Sequence, residues 1–135
     1  MGFSTVAATA IVGVSIVMAI EIIVGTTIPA ITDVHNSYDE MRDRAVEQAQ
    51  TDITITAAIW NNPNMRISVE NTGSVTLNTS KFNILFEGAS KTFTCSASYH
   101  YPKQTVIFTV PERADNGDMI KIITNNGVSD YYEVQ

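Results

Sequence analysis

The N-terminal quarter of this chain restricts its fold more than any other feature. From Val6 to Ile31 the sequence reads VAATAIVGVSIVMAIEIIVGTTIPAI, apolar or small throughout except for Glu21, the one ionisable side chain in the first 32 residues. At about 1.5 Å per residue, such a helix is long enough to cross a hydrocarbon core of about 30 Å. A secretory signal peptide would carry a basic leading segment, a shorter apolar stretch and a small-residue cleavage site, and this run has neither the basic segment nor the compact stretch. Residues 1–32 are therefore expected to be a transmembrane helix.

Glu21 has two readings. With the span centred on residues 6–31 it lies at mid-membrane, where an unpaired acid costs on the order of a few kcal/mol and so marks a helix-packing contact. With the span at residues 3–20 it sits at the membrane surface. Gly13, with Ala7, Ala10 and Ser15, offers a small-residue face for packing against another helix.

Pro29 lacks an amide hydrogen and crowds the carbonyl of Gly25, which predicts a kink or stop there. A second helix is expected to begin at Ser37, whose spacing to Glu40 fits a capping box. Val34, Tyr38, Met41 and Ala45 share one face, and Asp39, Glu40, Arg42, Asp43 and Glu47 fill the rest. This makes residues 33–51 an amphipathic helical stalk.

After Asp52 the apolar period changes to two. Ile53, Ile55, Ala57 and Ile59 alternate with polar or small residues, as do Met65, Ile67 and Val69, then Phe82, Ile84 and Phe86, then Phe93, Cys95, Ala97 and Tyr99, then Val106, Phe108 and Val110. Runs at 119–124 and 130–134 bring the total to seven or eight strands, separated by turn residues such as Asn71-Thr72-Gly73-Ser74, Glu87-Gly88 and Asn125-Asn126-Gly127. Short strands at this spacing predict an all-β domain over 52–135, an immunoglobulin-like antiparallel sandwich carried on a long N-terminal helix, the layout of type IV pilins.

The composition excludes several functions. A net charge of −6 with eight scattered bases is unsuited to nucleic acid. One cysteine and two histidines provide neither a disulfide framework nor a metal-ligand spacing, so no metal or cofactor is expected. Cys95 falls on an apolar strand face and reads as a structural thiol, and His100 has no neighbouring carboxylate to make it a base. Asp115 and Asp118 lack the further ligands of a calcium loop. No catalytic residue is assigned, and the chain is not expected to be an enzyme.

Leu85, Ile107 and Ile123 are apolar where their strand neighbours are polar. Either their strands are buried on both faces, or the three mark a partner-binding surface. Asn78-Thr79-Ser80 is an N-glycosylation triplet on a polar stretch between strands.

The order of these features resembles the archaellum accessory proteins of the FlaF/FlaG type, and FlaF more closely. The likeness rests on the opening Met1-Gly2-Phe3-Ser4 running into an apolar helix, on Ile67-Ser68-Val69-Glu70-Asn71-Thr72-Gly73-Ser74 leading to Phe82-Asn83-Ile84-Leu85-Phe86-Glu87-Gly88, and on Ile122-Ile123-Thr124-Asn125-Asn126-Gly127-Val128-Ser129-Asp130-Tyr131-Tyr132. The resemblance implies an archaellum stator role, with the helix in the cytoplasmic membrane as a single pass and the β domain in the pseudoperiplasm. Its implied partners are surface-layer protein, a FlaG-like accessory protein and further copies of the chain as a homo-oligomer. The rival expectation is a filament-forming archaellin or type IV pilin-like subunit, although such subunits carry a basic residue before the apolar helix and Glu21 lies too far along to be their conserved-position acid. A membrane-tethered glycan-binding module, using Trp60, Tyr99, Tyr101, Tyr131 or Tyr132, ranks below both.

Overall fold

The computed structural model describes residues 2–135. Two helices, α1 (Gly2–Ile22) and α2 (Ile28–Gln50), run into each other through a single π-helical turn, Ile23–Thr27. The helix therefore neither stops at Pro29 nor restarts at Ser37, contrary to the sequence expectation. Pro29 has no N–H for a carbonyl of the preceding turn, and the wide turn just before it absorbs the misfit, with Ile28 N–H bonding to Ile23 O. Ser37 is a mid-helix residue whose hydroxyl donates to Asp33 O at 2.8 Å, so the capping box does not form.

No residue of α1 is buried within the chain, and Val6, Ile11, Val12, Ile16, Val17 and Ile20 all present their side chains outward. The hydroxyls of Thr5, Thr9, Ser15, Thr26 and Thr32 each donate to a carbonyl three or four residues earlier, so these polar groups need no water. The helix from Gly2 to Gln50 contains a stretch long and apolar enough to cross a membrane.

The chain divides into two compact units, Met1–Asp43 and Arg44–Gln135, so the last turns of α2 belong with the β domain. That domain contains β1 (Ile53–Asn61), β2 (Asn64–Asn71), β3 (Leu77–Asn78), β4 (Asn83–Phe86), β5 (Ala89–Lys91), β6 (Thr94–Cys95), β7 (Tyr99–His100), β8 (Thr105–Val110), β9 (Met119–Ile123) and β10 (Ser129–Glu133), with a 3-10 turn at Thr79–Lys81. Every pairing is antiparallel. One sheet has the order β1-β2-β8-β6, the other β10-β9-β4-β5, and β3 with β7 forms a two-stranded ribbon. Taken whole, the chain is a long helix plus antiparallel sheets, which corrects the all-β description.

Alternation places Met65, Ile67, Val69, Val106, Phe108 and Val110 of the first sheet against Ile84, Phe86, Ile120 and Ile122 of the second, all buried in one core. Phe108 anchors it: Phe82 stacks on its ring and Phe93 meets it edge-on, each at a centroid distance of 5.4 Å. Across the open side, Asp130 of β10 accepts the Ile55 N–H of β1 at 2.7 Å and ties the two sheets together.

Two strands depart from simple alternation. The β1–β2 register shifts between Ile55 and Ala57, a bulge that pairs Ala58 with Ile67 and Ile59 with Arg66. Ala58 accordingly packs on the core, and Ile59 turns outward with 63% of its surface exposed, not inward as the period-two pattern predicts. Likewise Phe93, Cys95 and Ala97 pack on the core, but the chain is irregular from Ser96 to Ser98, after which Tyr99 is exposed and His100 is buried.

Candidate functional site

Two features of the β domain bear on function: the turn that holds the last residues of α2, and the outward faces of its two sheets.

At the joint, the Asn71-Thr72-Gly73-Ser74 turn grips the end of the helix. Ser74 N–H donates to Gln50 O at 2.9 Å, while Gly73 and Thr72 N–H donate to Asp52 O at 3.0 and 3.1 Å. Thr51 is buried, with its hydroxyl donating to Glu47 O at 2.7 Å and accepting from Asn126 Nδ2 at 2.8 Å. Gly73 has no room for a side chain: a Cβ there would lie 2.5 Å from both Asp52 N and Gln50 O. These bonds satisfy carbonyls that a helix end leaves open, so the last turn of α2 is tied to the β domain by backbone contacts.

Asn71, fully buried, organises the same turn. Its Nδ2 donates to Val75 O at 2.8 Å and His100 O at 2.9 Å, its Oδ1 accepts from Gly73 N–H, and its backbone bonds to Gln104 O and Lys103 N–H. Five residues in two stretches, 73–75 and 100–104, are joined through one side chain and its peptide groups. The sequence marks this stretch only as a turn.

His100 lies beside it, buried against Phe82. Its Nε2 lies 2.8 Å from Gln104 O, which can only accept, so Nε2 carries the proton and Nδ1 is left without a hydrogen-bond partner. Burial lowers the pKa of His100 below its usual 6.5, against the smaller opposing pull of the Gln104 and Val69 carbonyls. The imidazole is thus a neutral structural group. Because the unfolded chain takes up a proton at this residue near 6.5 and the folded chain resists it, the stability His100 confers is complete above pH 6.5 and is lost as pH falls below it. The thermal midpoint is expected to fall between pH 7 and 5, and His100→Gln should flatten that decline; an unchanged slope in the variant would refute the assignment.

Leu85, Ile107 and Ile123 are all half-buried and face outward, but not together. Leu85 and Ile123 lie on the β10-β9-β4-β5 sheet, where Leu85 pairs with Lys121 and Ile123 with Asn83 and Ser129. Lys121 pairs in turn with Tyr131, and its Nζ sits 4.8 Å from that ring, so Leu85, Lys121 and Tyr131 form a row across three strands. Ile107 is on the opposite sheet. There it joins Ile59, Trp60, Asn61, Arg66 and Ser68 around a depression of about 310 Å³. Ile59 was missed as a surface residue because the β1 bulge carries no sequence signature, whereas Trp60 was already named among the aromatics of a glycan-binding surface.

The other marked residues sit as follows. Glu21 and Gly13 are exposed on α1, and among the described residues no side chain lies within 4 Å of where a Cβ on Gly13 would stand. Cys95 is half-buried opposite Phe108. Asp118 Oδ2 accepts the Asp115 N–H at 2.8 Å and Arg113 holds Asp115 at 3.1 Å, which explains both acids as parts of a turn. Among the described residues, no group of three His, Cys, Asp or Glu side chains is placed to hold a metal ion. Asn78 ends β3, half-exposed, with its Oδ1 bonded to Ser80.

No known family model matches the chain, and no curated protein matches it. Solved structures do. The archaellum periplasmic stator protein FlaG from Sulfolobus acidocaldarius aligns with a TM-score of 0.50 at 17% identity, over 61% of this chain and 97% of that one. The archaellum periplasmic stator complex of FlaF and FlaG from the same organism aligns at 0.48 and 16% identity, over 59% of this chain and 85% of that one. The structural neighbours are thus of the FlaF/FlaG type that the sequence resembles, without a distinction between FlaF and FlaG. Over that 61% of its length the chain has the fold of FlaG.

Proposed function

We propose that this chain is a non-catalytic, membrane-anchored accessory protein of the archaellum, a stator component whose β domain lies outside the cytoplasmic membrane and binds surface-layer protein or a FlaF/FlaG-like partner. The observation that carries this reading is the fold shared with FlaG along nearly all of that chain. The apolar helix with self-bonded hydroxyls supports the anchor, with residues 1–32 spanning the membrane, 33–51 forming the stalk and 52–135 the bound domain. The strand orders β1-β2-β8-β6 and β10-β9-β4-β5 support an immunoglobulin-like sandwich, since they follow the ABED and GFC arrangement with one added strand.

A stationary element must grip its surroundings and hold its own shape under load. The joint at Gly73 and Asn71 suits the second requirement, and the two outward apolar faces suit the first. The full chain in detergent is expected to retain surface-layer protein on a pull-down while light scattering reports a small oligomer. Absence of binding together with spontaneous filament growth would replace this reading with the pilin-like subunit.

The faces are tested one at a time. Because Leu85, Ile107 and Ile123 point away from the core, serine at each is expected to lower the melting temperature by only a few degrees. Loss of partner capture by Leu85→Ser and Ile123→Ser but not Ile107→Ser would assign the β10-β9-β4-β5 face, and the converse result the other. Unfolding of the domain by these variants would return them to the core and end their role as interface residues.

A further inference from the structure

We infer that Asn78 is glycosylated, through its Nδ2, by transfer from a lipid-linked oligosaccharide; the inference rests on the extracytoplasmic placement proposed above.

Asn78-Thr79-Ser80 is the single Asn-X-Ser/Thr triplet in the 135 residues. Such triplets arise by chance, and the local geometry sets this asparagine apart from the buried Asn71. Ser80 N–H and the Ser80 hydroxyl both donate to Asn78 Oδ1, at 3.0 and 2.7 Å, and among the described residues no hydrogen bond engages Nδ2. Asn71 shows the contrasting structural use of the same side chain, buried with both Nδ2 hydrogens committed to carbonyls.

The bond from the Ser80 hydroxyl matters chemically. As Nδ2 gives up a proton, negative charge builds on Oδ1, where the Ser80 hydroxyl is already donating. Nδ2 then attacks the anomeric carbon of the donor. A carbon–nitrogen bond forms, the bond from that carbon to the donor's phosphate oxygen breaks with its electron pair leaving on the lipid phosphate, and the Nδ2 proton passes to a base of the transferase. No oxidation or reduction is involved.

Access and order of events both permit the reaction. Ser80, Lys81, Ser98 and Tyr99 around the site are exposed, and Tyr99 is the residue paired with Asn78 on β7. Both bonds to Oδ1 arise within three residues, so the turn can form before β3 and β7 pair. The sugar would stand on the two-stranded ribbon, whereas Leu85, Lys121 and Tyr131 belong to the β10-β9-β4-β5 sheet.

The test is mass spectrometry of the full chain from membranes of the organism that encodes it, with protease shaving of intact cells to report where the β domain lies. The tryptic fragment 67–81 is expected to carry a series of hexose-type increments located on Asn78, absent in Asn78→Gln and Ser80→Ala and retained in Ser80→Thr. A shaved β domain with fragment 67–81 unmodified overturns the inference and leaves the placement standing. A protected β domain with an unmodified fragment overturns both.

Discussion

A single methyl group on Gly73 is expected to lower the melting temperature of the β domain by about 10–20 °C, the equivalent of about 2–3 kcal/mol at about 4–8 °C per kcal/mol for a domain of this size. The added Cβ would lie 2.5 Å from two backbone atoms, Asp52 N and Gln50 O, and backbone cannot rotate away as a long side chain can. Relief requires the helix end to back off, which stretches the Ser74-to-Gln50 and Gly73-to-Asp52 hydrogen bonds together. Gly88 provides the control. It has a φ of +81°, where alanine is strained, but open space around its Cα, so Gly88→Ala should cost only about 1 kcal/mol. Thermal melts of the two variants followed by circular dichroism in the β region decide the matter. A Gly73→Ala melt within a few degrees of the parent, or above that of Gly88→Ala, would show that the joint yields.

Asn71→Leu should be as damaging for a different reason. Leucine fills a similar volume but cannot donate or accept, so the carbonyls of Val75 and His100 would each lose a partner beside a fully buried side chain, and the N–H of Gly73 would keep only its bond to Asp52 O. At about 1–3 kcal/mol for each buried group left unpaired, with partial relaxation, the expected loss is about 4 kcal/mol. Asn71→Asp separates hydrogen bonding from shape: it keeps the acceptor for Gly73 and turns an oxygen toward two carbonyl oxygens, so it should be no more stable than the leucine variant. Urea titration measures both. If either variant falls within 1 kcal/mol of the parent, the turn is held by something other than this amide.

Much of this architecture was legible in the chain. The apolar helix followed from an almost unbroken run with one acid, and the strand positions followed from alternation bounded by Asn and Gly turns. What escaped was whatever depends on residues distant in sequence. Thr56 looks like any other strand residue, and only its pairing with β2 makes it the extra residue that reverses Ala57 and Ile59. His100, between two tyrosines and before Pro102, reads as a strand end or loop residue, but the irregular backbone at Ser96–Ser98 shifts the phase and carries it into the core, where Asn71 and Gln104 receive it. Pro29 did announce a disturbance, and its form could not be foreseen, since a kink, a stop and a π turn all answer the same missing N–H.

The candidate surface was half legible. Leu85, Ile107 and Ile123 were marked by polarity against their neighbours, and all three do lie on outer faces. Their division between two sheets could not be read from alternation, which gives a side within each strand but not which sheet a strand joins.

Asp130 has a further consequence for a protein proposed to live tethered to a bilayer. Confinement to a plane raises the local concentration of copies, and a strand with free donors along its margin is a template on which the next copy can zip up into an aggregate. By placing a carboxylate over the Ile55 N–H, Asp130 both occupies a donor at the margin of β1 and repels an approaching strand. Crowding of the anchored domains can then favour encounters through their faces, which are limited in number and specific, over growth along their margins, which has no natural end.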